Sequence, residues 1–412
     1  MNLLSVEQAR ERILGHFQPV TTETVPLGEG SERVLAQSIT ASNDLPPFDN
    51  SSMDGFAVRA ADVAEASSDS PRRLRVVADI PAGTQASIVL GQGEAARIMT
   101  GAPLPDGADA IVPVEDTDVN HRDAGASAPA EVQIFKSVDI GANRRPRGID
   151  VRAGEIVLHP GRLLKPQDLG LLAMLGVSQV PVFRKPRLAL FSSGDELLEV
   201  EAPLEDGKIR DSNSYMLAAL IEGAGADVLQ LGVAMDNPES VQALLKKAVE
   251  AHVDLILSSA GVSVGAFDFV KQVIESNGKM DFWRVNMRPG KPLAFGEYNG
   301  IPFIGLPGNP VSAYVGFKVF VHPSIQRLRG LPGEGRQTIR VHCDQQIDSD
   351  GRESYLRAQV QPDPETGVWI ARLAGHQGSG NLHALVHANA LLIIPAGVKC
   401  VPAGQDLEAW FI

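Results

Sequence analysis

Cysteine is almost missing from this chain of 412 residues: Cys343 and Cys400 are the only two. A pair so placed makes neither a disulfide framework nor a metal-ligand spacing, and it reads as two free core thiols of a reducing compartment. Positive charge is also short. Asp and Glu number 50 against 37 Lys and Arg, a net charge of −13. That balance argues against general nucleic-acid binding, which needs a basic face. An anionic small ligand stays possible, because a local cationic cleft works inside an acidic protein. No apolar run is long enough to span a bilayer. The opening "SVEQARERIL" carries charges where a signal peptide has its apolar stretch. A cytoplasmic location, with no membrane and no nucleic-acid partner, is the expectation. Sequence repeats, a P-loop and a G-x-G-x-x-G fingerprint are absent too.

What is present has the balance of a globular protein, 44% hydrophobic and 21% charged residues. The length calls for about two to four domains, and four textures follow one another. The stretch from Met1 to about Asp44 reads as helical; Ser5 and Gln8 form a capping-box pattern, and Val6, Ala9, Ile13, Leu14 and Phe17 share one helical face. Residues 45–135 carry short strands broken by Gly and Pro, as in "DIPAGT" and "TGAPLPDGADAIVPV", which implies a small β-rich domain. Residues 136–180 return to loop and helix and are expected to pack back on 1–44 as one discontinuous helical and linker domain. Residues 181–331 alternate apolar strands ("RLALFSSGDEL", "DVLQLGVAMDN", "VDLILSSAGVS", "IPFIGLPGNP") with the helix candidates "SNSYMLAALIEGAG" and "NPESVQALLKKAVEAH". That alternation implies a doubly wound, mostly parallel α/β domain buried on both faces. Residues 332–412 alternate as a compact β-domain or barrel does. The fold class is therefore multidomain, α/β plus β.

Ligands bind beyond the carboxyl ends of parallel strands, so three strand-end loops matter most. The first, after the strand starting at Val253, offers Ser258, Ser259, Gly261, Ser263 and Gly265, small residues that let backbone N–H groups approach an anion. It delivers one acid, Asp268. A tight turn without ligand would use the same residues. The second loop, "SSGDEL", offers Ser192, Gly194, Asp195 and Glu196; the mundane use of its acids is to complement a helix macrodipole. The third, "LPGNPVSA", holds Pro307, Asn309, Pro310 and Ser312, where Asn309 and Ser312 suit ordinary helix capping. Loops on one sheet edge converge, and convergence is what a site needs. Between them "FWRVNMRPGKPLAFG" supplies Arg284, Arg288 and Lys291. A cationic strip beside several acids points to phosphate binding together with a divalent cation. Outside this domain, "FDNSSMDGFAV" with Asp54 and "RIMTGAPLPDGADAIV" with Thr100 are polar turns.

Taken in order, "NSSMDGFAVR", "RIMTGAPLPDGADAIVPVED", "SSGDEL", "DSN", "GVSVGAFDF", "RPGKPLAFG" and "GLPGNPVSA" resemble the MoeA family, to which the E-domain of gephyrin is similar. The resemblance covers essentially the whole chain. It implies a cytoplasmic homodimer that takes adenylylated molybdopterin and molybdate, inserts the metal, releases AMP and yields molybdenum cofactor with the help of Mg2+. It implies a helical and linker domain, a small β-domain, a central domain related to molybdopterin adenylyltransferases and a C-terminal β-barrel. By the same resemblance Asp54, Thr100, Glu196 and Asp268 are catalytic, with Glu196 and Asp268 holding the cation. Asp150, after "RRPRG", and Asp236 of "MDN" join the substrate-binding positions. Arg357 and Ser379 match positions expected to face the partner subunit's cleft. Partners implied are the adenylyltransferase and molybdoenzyme maturation proteins. Two departures stand out. Ala260 replaces a family glycine, which would strain a left-handed backbone, and Arg284 and Arg288 stand where lysines are common, exchanging a point charge for a fork. Two rivals remain open, an adenylyltransferase and a gephyrin-like scaffold.

Overall fold

The computed structural model describes residues 3–85, 87–119, 127–259, 267–333 and 337–412, without the side chains of residues 267, 268 and 281–283. The chain folds into two compact units, Met1–Ala36 with Gly161–Lys165 and Gln179–Ile412, and Gln37–Pro160 with Pro166–Ser178. In the first unit helix α1 (Val6–Leu14) opens on the capping box, with Gln8 N–H donating to Ser5 Oγ and the Gln8 side chain accepting from Ser5 N–H. Val6, Ala9, Ile13 and Phe17 are buried. Helix does not continue to residue 44 as the sequence suggested. After α1 the segment "TTETV" is β-branched and lies between prolines, and such residues favour the pleat. Thr22–Pro26 pairs antiparallel with Gln179–Phe183.

The second unit is built on a five-stranded sheet in the order Ala110–Pro113, Gly55–Val58, Glu94–Ile98, Arg72–Ile80, Glu131–Ile134. Successive residues point to opposite faces of a strand; Phe56 and Val58 enter one apolar cluster and Ala57 the other. Helix α2 (Pro166–Met174) begins after Lys165, as the Pro at its start implies.

In the first unit the central sheet runs Asp227–Ala234, Arg187–Ser193, Leu255–Ser259, Ile301–Leu306, Pro292–Tyr298, Gly278–Arg284. The first three pairings are parallel and the last two antiparallel. The antiparallel edge comes from the "FWRVNMRPGKPLAFG" region, which the sequence marked only as a cationic strip: two strands flank a turn confined to residues between Arg284 and Pro292. Strand residues alternate between two covered faces, as doubly wound sheets require. Leu188, Leu190, Leu255 and Leu257 pack with α1, α3 (Asn213–Gly223) and the later helices Pro310–Gly316 and His322–Leu328. Ala189, Phe191 and Ile256 pack with α4 (Pro238–Glu250) and α5 (Phe267–Asn277). Helix α6 (Pro310–Gly316) passes through a π-helical stretch, Phe317–Val321, into α7 (His322–Leu328).

The C-terminal strands form a barrel. Glu353–Pro362 pairs with Trp369–Leu373, that with Thr338–Cys343, that with Asp406–Phe411, that with Ala390–Ile394, and the last closes on Glu353–Pro362. Inward residues such as Val341, Leu356, Ala371, Leu392 and Ala409 fill it. A short helix, α8 (Leu382–Val386), crosses between two of its strands.

Candidate functional site

Register fixes where the strand-end loops start. Ser192 pairs with Ser259, and Ser259 with Leu306, so three parallel strands reach their carboxyl ends at one level. The chain moves from Arg187–Ser193 outward to Asp227–Ala234, then crosses back to Leu255–Ser259 on the other side. That reversal is the switch point at which open α/β sheets bind ligands. A cleft of about 530 Å³ lies there, lined by Ser192, Glu196, Ser259, Pro307, Asn309 and Ser312, with the first turn of α3 and with Gly380 from the barrel side.

Asn213, at the start of α3, holds the rim together. Its Nδ2 donates to Ser259 Oγ at 2.8 Å and to the Gly308 carbonyl at 2.7 Å, tying the ends of two strands to one helix. Asp211 caps the same turn by accepting from Ser214 N–H (3.1 Å) and Ser214 Oγ (2.5 Å), and Ser214 Oγ also meets Ser192 Oγ at 3.0 Å. Asn309 occupies the residue before α6 but makes no capping bond. The capping use anticipated for it is therefore not what its side chain does; it lines the cleft. Gly380 stands so close that an added Cβ would lie 3.9 Å from Asn309 Oδ1.

The acids after Ser192 do not begin a helix. Gly194 turns the chain at φ +146, and Leu197–Leu198 then forms a short strand with Ile209–Arg210. The macrodipole use of Asp195 and Glu196 is thereby excluded; Asp211 plays that part for α3. An added Cβ at Gly194 would stand 2.5 Å from Glu196 Oε2, so glycine is what lets this carboxylate fold over the turn. Asp236 lies beside the pair, its N–H donating to Asp195 Oδ1 at 3.1 Å. Burial, then the charges of Asp195 and Glu196, raise the Asp236 carboxyl above its ordinary range, and its Oδ1 is buried without a partner among the described residues. Among the described residues no three His, Cys, Asp or Glu side chains gather to hold a metal.

The cations divide. Arg284 is exposed at the end of its edge strand, and Lys291 is half-buried. Arg288 lines a smaller cavity of about 170 Å³ with Ser354 and Gln377. Arg357 is wholly buried. Its Nη2 donates to the carbonyls of His376 (3.0 Å) and Gly378 (2.9 Å), while Nε and Nη1 have no partner among the described residues. Burial, and then the Arg288 charge, lower the Arg357 pKa. Arg357 thus keeps two guanidinium nitrogens unused in the interior, donors of the kind that suit an oxyanion. Pro307 and Pro310 shape the third loop, and the Ser379 carbonyl accepts from Val311 N–H at 3.1 Å, docking the barrel turn on α6 of its own chain.

Both serines are fully buried, but Ser259 lines the cleft whereas Ser258 packs against Gly305 of the neighbouring strand. Ala260, Gly261, Ser263 and Gly265 lie outside the described residues; Asp268 is in α5, its side chain outside them as well. Asp54, Thr100 and Asp150 belong to the second unit. There Thr100 donates to Asp54 Oδ1 from both N–H (2.8 Å) and Oγ1 (2.7 Å), and Asp150 pairs with Arg145 at 2.5 Å. Sequence reasoning gave no individual role to Asp211 and Asn213, while Ser259 was among the strand-end residues it pointed to. The "DSN" triplet was the available signal for the first two.

Three family models match the chain: MoeA N-terminal region (domain I and II) over residues 4–176, Probable molybdopterin binding domain over 189–327, and MoeA C-terminal region (domain IV) over 340–412. The chain is 41% identical to molybdopterin molybdenumtransferase 2 of Mycobacterium tuberculosis, over 98% of this chain and 99% of that one. It is 38% identical to molybdopterin molybdenumtransferase of a Nostoc species, over 94% of this chain and 88% of that one. A crystal structure of molybdopterin biosynthesis MoeA protein from Pyrococcus horikoshii superimposes with a TM-score of 0.83 at 29% identity, over 100% of both chains.

Proposed function

Because the chain belongs to the MoeA family of molybdopterin molybdenumtransferases, it is an enzyme that inserts molybdenum from molybdate into adenylylated molybdopterin, and we propose that it does so at the rim just described, releasing AMP. The observation that carries this reading is the cleft at the switch point, with carboxylates on one side and the barrel turn held by a buried arginine on the other. In this reading the Leu306–Ser312 loop, Ser192 and Ser259 receive the phosphorylated pterin, and Gly261, Ser263 and Gly265 are further substrate-binding positions by the family resemblance. Arg288 and Arg357 receive the molybdate oxygens, with Ser379 beside them; Arg284 and Lys291 add long-range attraction. Glu196 orients water, or the attacking oxygen, at the anhydride phosphorus. Catalysis is then positioning and charge stabilisation.

The donor set fits Mg2+. Asp236 has a buried oxygen without a partner among the described residues and a carboxyl raised above its usual range by burial and then by Asp195 and Glu196, and oxygen donors of this kind suit a hard dication. Glu196 and Asp236, with Asp268, would hold it, and when bound its charge offsets that of the phosphate oxygens. By the family resemblance Asp54 and Thr100 are catalytic positions and Asp150 a substrate-binding one, all three carried by the second unit. With this reading go the four-part division 1–44 with 136–180, 45–135, 181–331 and 332–412, a homodimer, a cytoplasmic location, and hand-over to molybdoenzyme maturation proteins. Among the described residues no helix is long and apolar enough to cross a membrane.

The test is product identity. Adenylylated molybdopterin incubated with the enzyme should yield AMP in proportion to added molybdate. Pyrophosphate turnover with ATP and no molybdate-dependent AMP would favour an adenylyltransferase. Full cellular function in a folded Glu196→Ala variant without turnover would favour a scaffold.

A further inference from the structure

The barrel carries a second group of chemistry-bearing side chains that the reaction above does not use. His383 and His387 stand four residues apart on and just after α8, so they share one helical face. Their Nε2 atoms are 3.1 Å apart and their rings meet edge to face with centroids at 4.4 Å. Both line a cavity of about 490 Å³ together with His376, Gln359 and Asn381. We propose that His383 and His387 form a chelating site for a borderline transition-metal dication of the Ni2+ or Cu2+ type.

Geometry narrows the metal. With metal–nitrogen bonds of roughly 2.0–2.1 Å, nitrogens 3.1 Å apart subtend roughly 95–100° at the ion. That is close to the cis angle of an octahedral or tetragonal centre; a tetrahedral one would want the nitrogens roughly 3.4 Å apart. Imidazole pairs in such geometry suit Ni2+ and Cu2+ over Mg2+ or Mn2+, which prefer oxygen. Since no three such side chains gather among the described residues, water fills the other positions. The cavity leaves room for it.

The position of the pair gives the site a consequence. Asn381 caps α8 by accepting from Ala384 N–H at 3.2 Å and donates to the His376 carbonyl at 3.0 Å. The same carbonyl accepts from Arg357 Nη2. A metal clasping α8 would therefore stiffen the turn from which Arg357 hangs.

Isothermal titration of the untagged, reduced full chain with NiCl2 tests this, and it does not depend on the enzyme turning over. The expected result is one tight equivalent per chain, with affinity rising from Mn2+ through Co2+ to Ni2+, and with Tm rising on Ni2+ addition. His383→Asn and His387→Asn, each checked for parental circular dichroism, should each weaken Ni2+ at least about tenfold. Both residues are exposed, so either variant alone suffices should the other fold poorly. Retention of the tight equivalent in both variants, or its loss only in Cys400→Ser, would overturn the assignment. No saturable binding would overturn it too and leave a hydrogen-bonded histidine pair only.

Discussion

Replacing Asn213 by alanine is the sharpest probe of how the rim is held. The side chain is buried and its Nδ2 donates two bonds, to Ser259 Oγ and to the Gly308 carbonyl. Each such bond is worth about 0.5–1.5 kcal/mol net, so the pair contributes about 1–3 kcal/mol. Against that, Asn213 Oδ1 is buried without a partner among the described residues, and removing it returns about 1 kcal/mol. A net loss of up to about 2 kcal/mol remains, which lowers Tm by up to roughly 8 °C for a unit of this size. The kinetic effect should be larger. Asn213 fixes the level at which two loops start, and a displacement of roughly 1 Å in a positioned site costs on the order of a hundredfold in rate. Thermal unfolding followed by tryptophan fluorescence gives the first number, and molybdate-dependent AMP release gives the second. Asn213→Asp keeps the size but turns an amide donor into an acceptor facing the Gly308 carbonyl, so at neutral pH it should do at least as much damage. Parental Tm and parental kcat/KM in Asn213→Ala would refute the clamp.

Four further outcomes follow from the same structure. Burial and acidic neighbours raise the Asp236 pKa in the fold, so the folded state loses stability as pH climbs from the unfolded value near 3.8 through the folded one. Asp236→Asn should therefore melt higher than the parent at pH 7, match it below about pH 3.8, and lose any stabilisation the parent gains from Mg2+; equal melting at all pH values would contradict this. Gly194→Ala forces an L side chain to φ +146 and into Glu196, a strain of about 1–3 kcal/mol, and kcat should fall while the pterin Kd changes less. Arg357→Lys keeps one charge but loses the Nε and Nη1 donors that have no partner among the described residues, and moves the one nitrogen that bonds two carbonyls; the KM for molybdate should rise at least about tenfold, with a stability loss measurable in urea. Thr100→Val removes one of the two bonds that Thr100 gives the half-buried Asp54 carboxylate. Its Tm should move by under about 3 °C and its turnover should drop at least about tenfold if the pair acts in catalysis.

The central sheet was legible because parallel strands covered on both faces must be apolar runs, and four of them end in Gly, Ser or Asn. Length and periodicity likewise marked α3 and α4. Helix was overextended beyond α1 because charge and spacing alone do not reveal that "TTETV" has a partner some 155 residues away, at Gln179–Phe183. The edge strand Gly278–Arg284 was hidden behind the prolines and glycine that follow it. At the site, loop positions were readable and side-chain direction was not. Ser258 and Ser259 are equivalent on paper, yet only Ser259 faces the cleft, since neighbours on a strand point to opposite sides. Asn213 looked like the first residue of an ordinary helix, and nothing local announces that its amide spans two loops. Arg357 was selected by resemblance alone; that two of its nitrogens are buried without partners among the described residues is knowledge only coordinates give.

The decisive measurement is anomalous diffraction from crystals of the enzyme soaked in molybdate, recorded above the molybdenum absorption edge. The account predicts one strong peak within hydrogen-bonding reach of the Arg357 and Arg288 guanidiniums, and its loss in Arg357→Met. A peak elsewhere in the wild-type enzyme, with that arginine pair empty at saturating oxyanion, would contradict it.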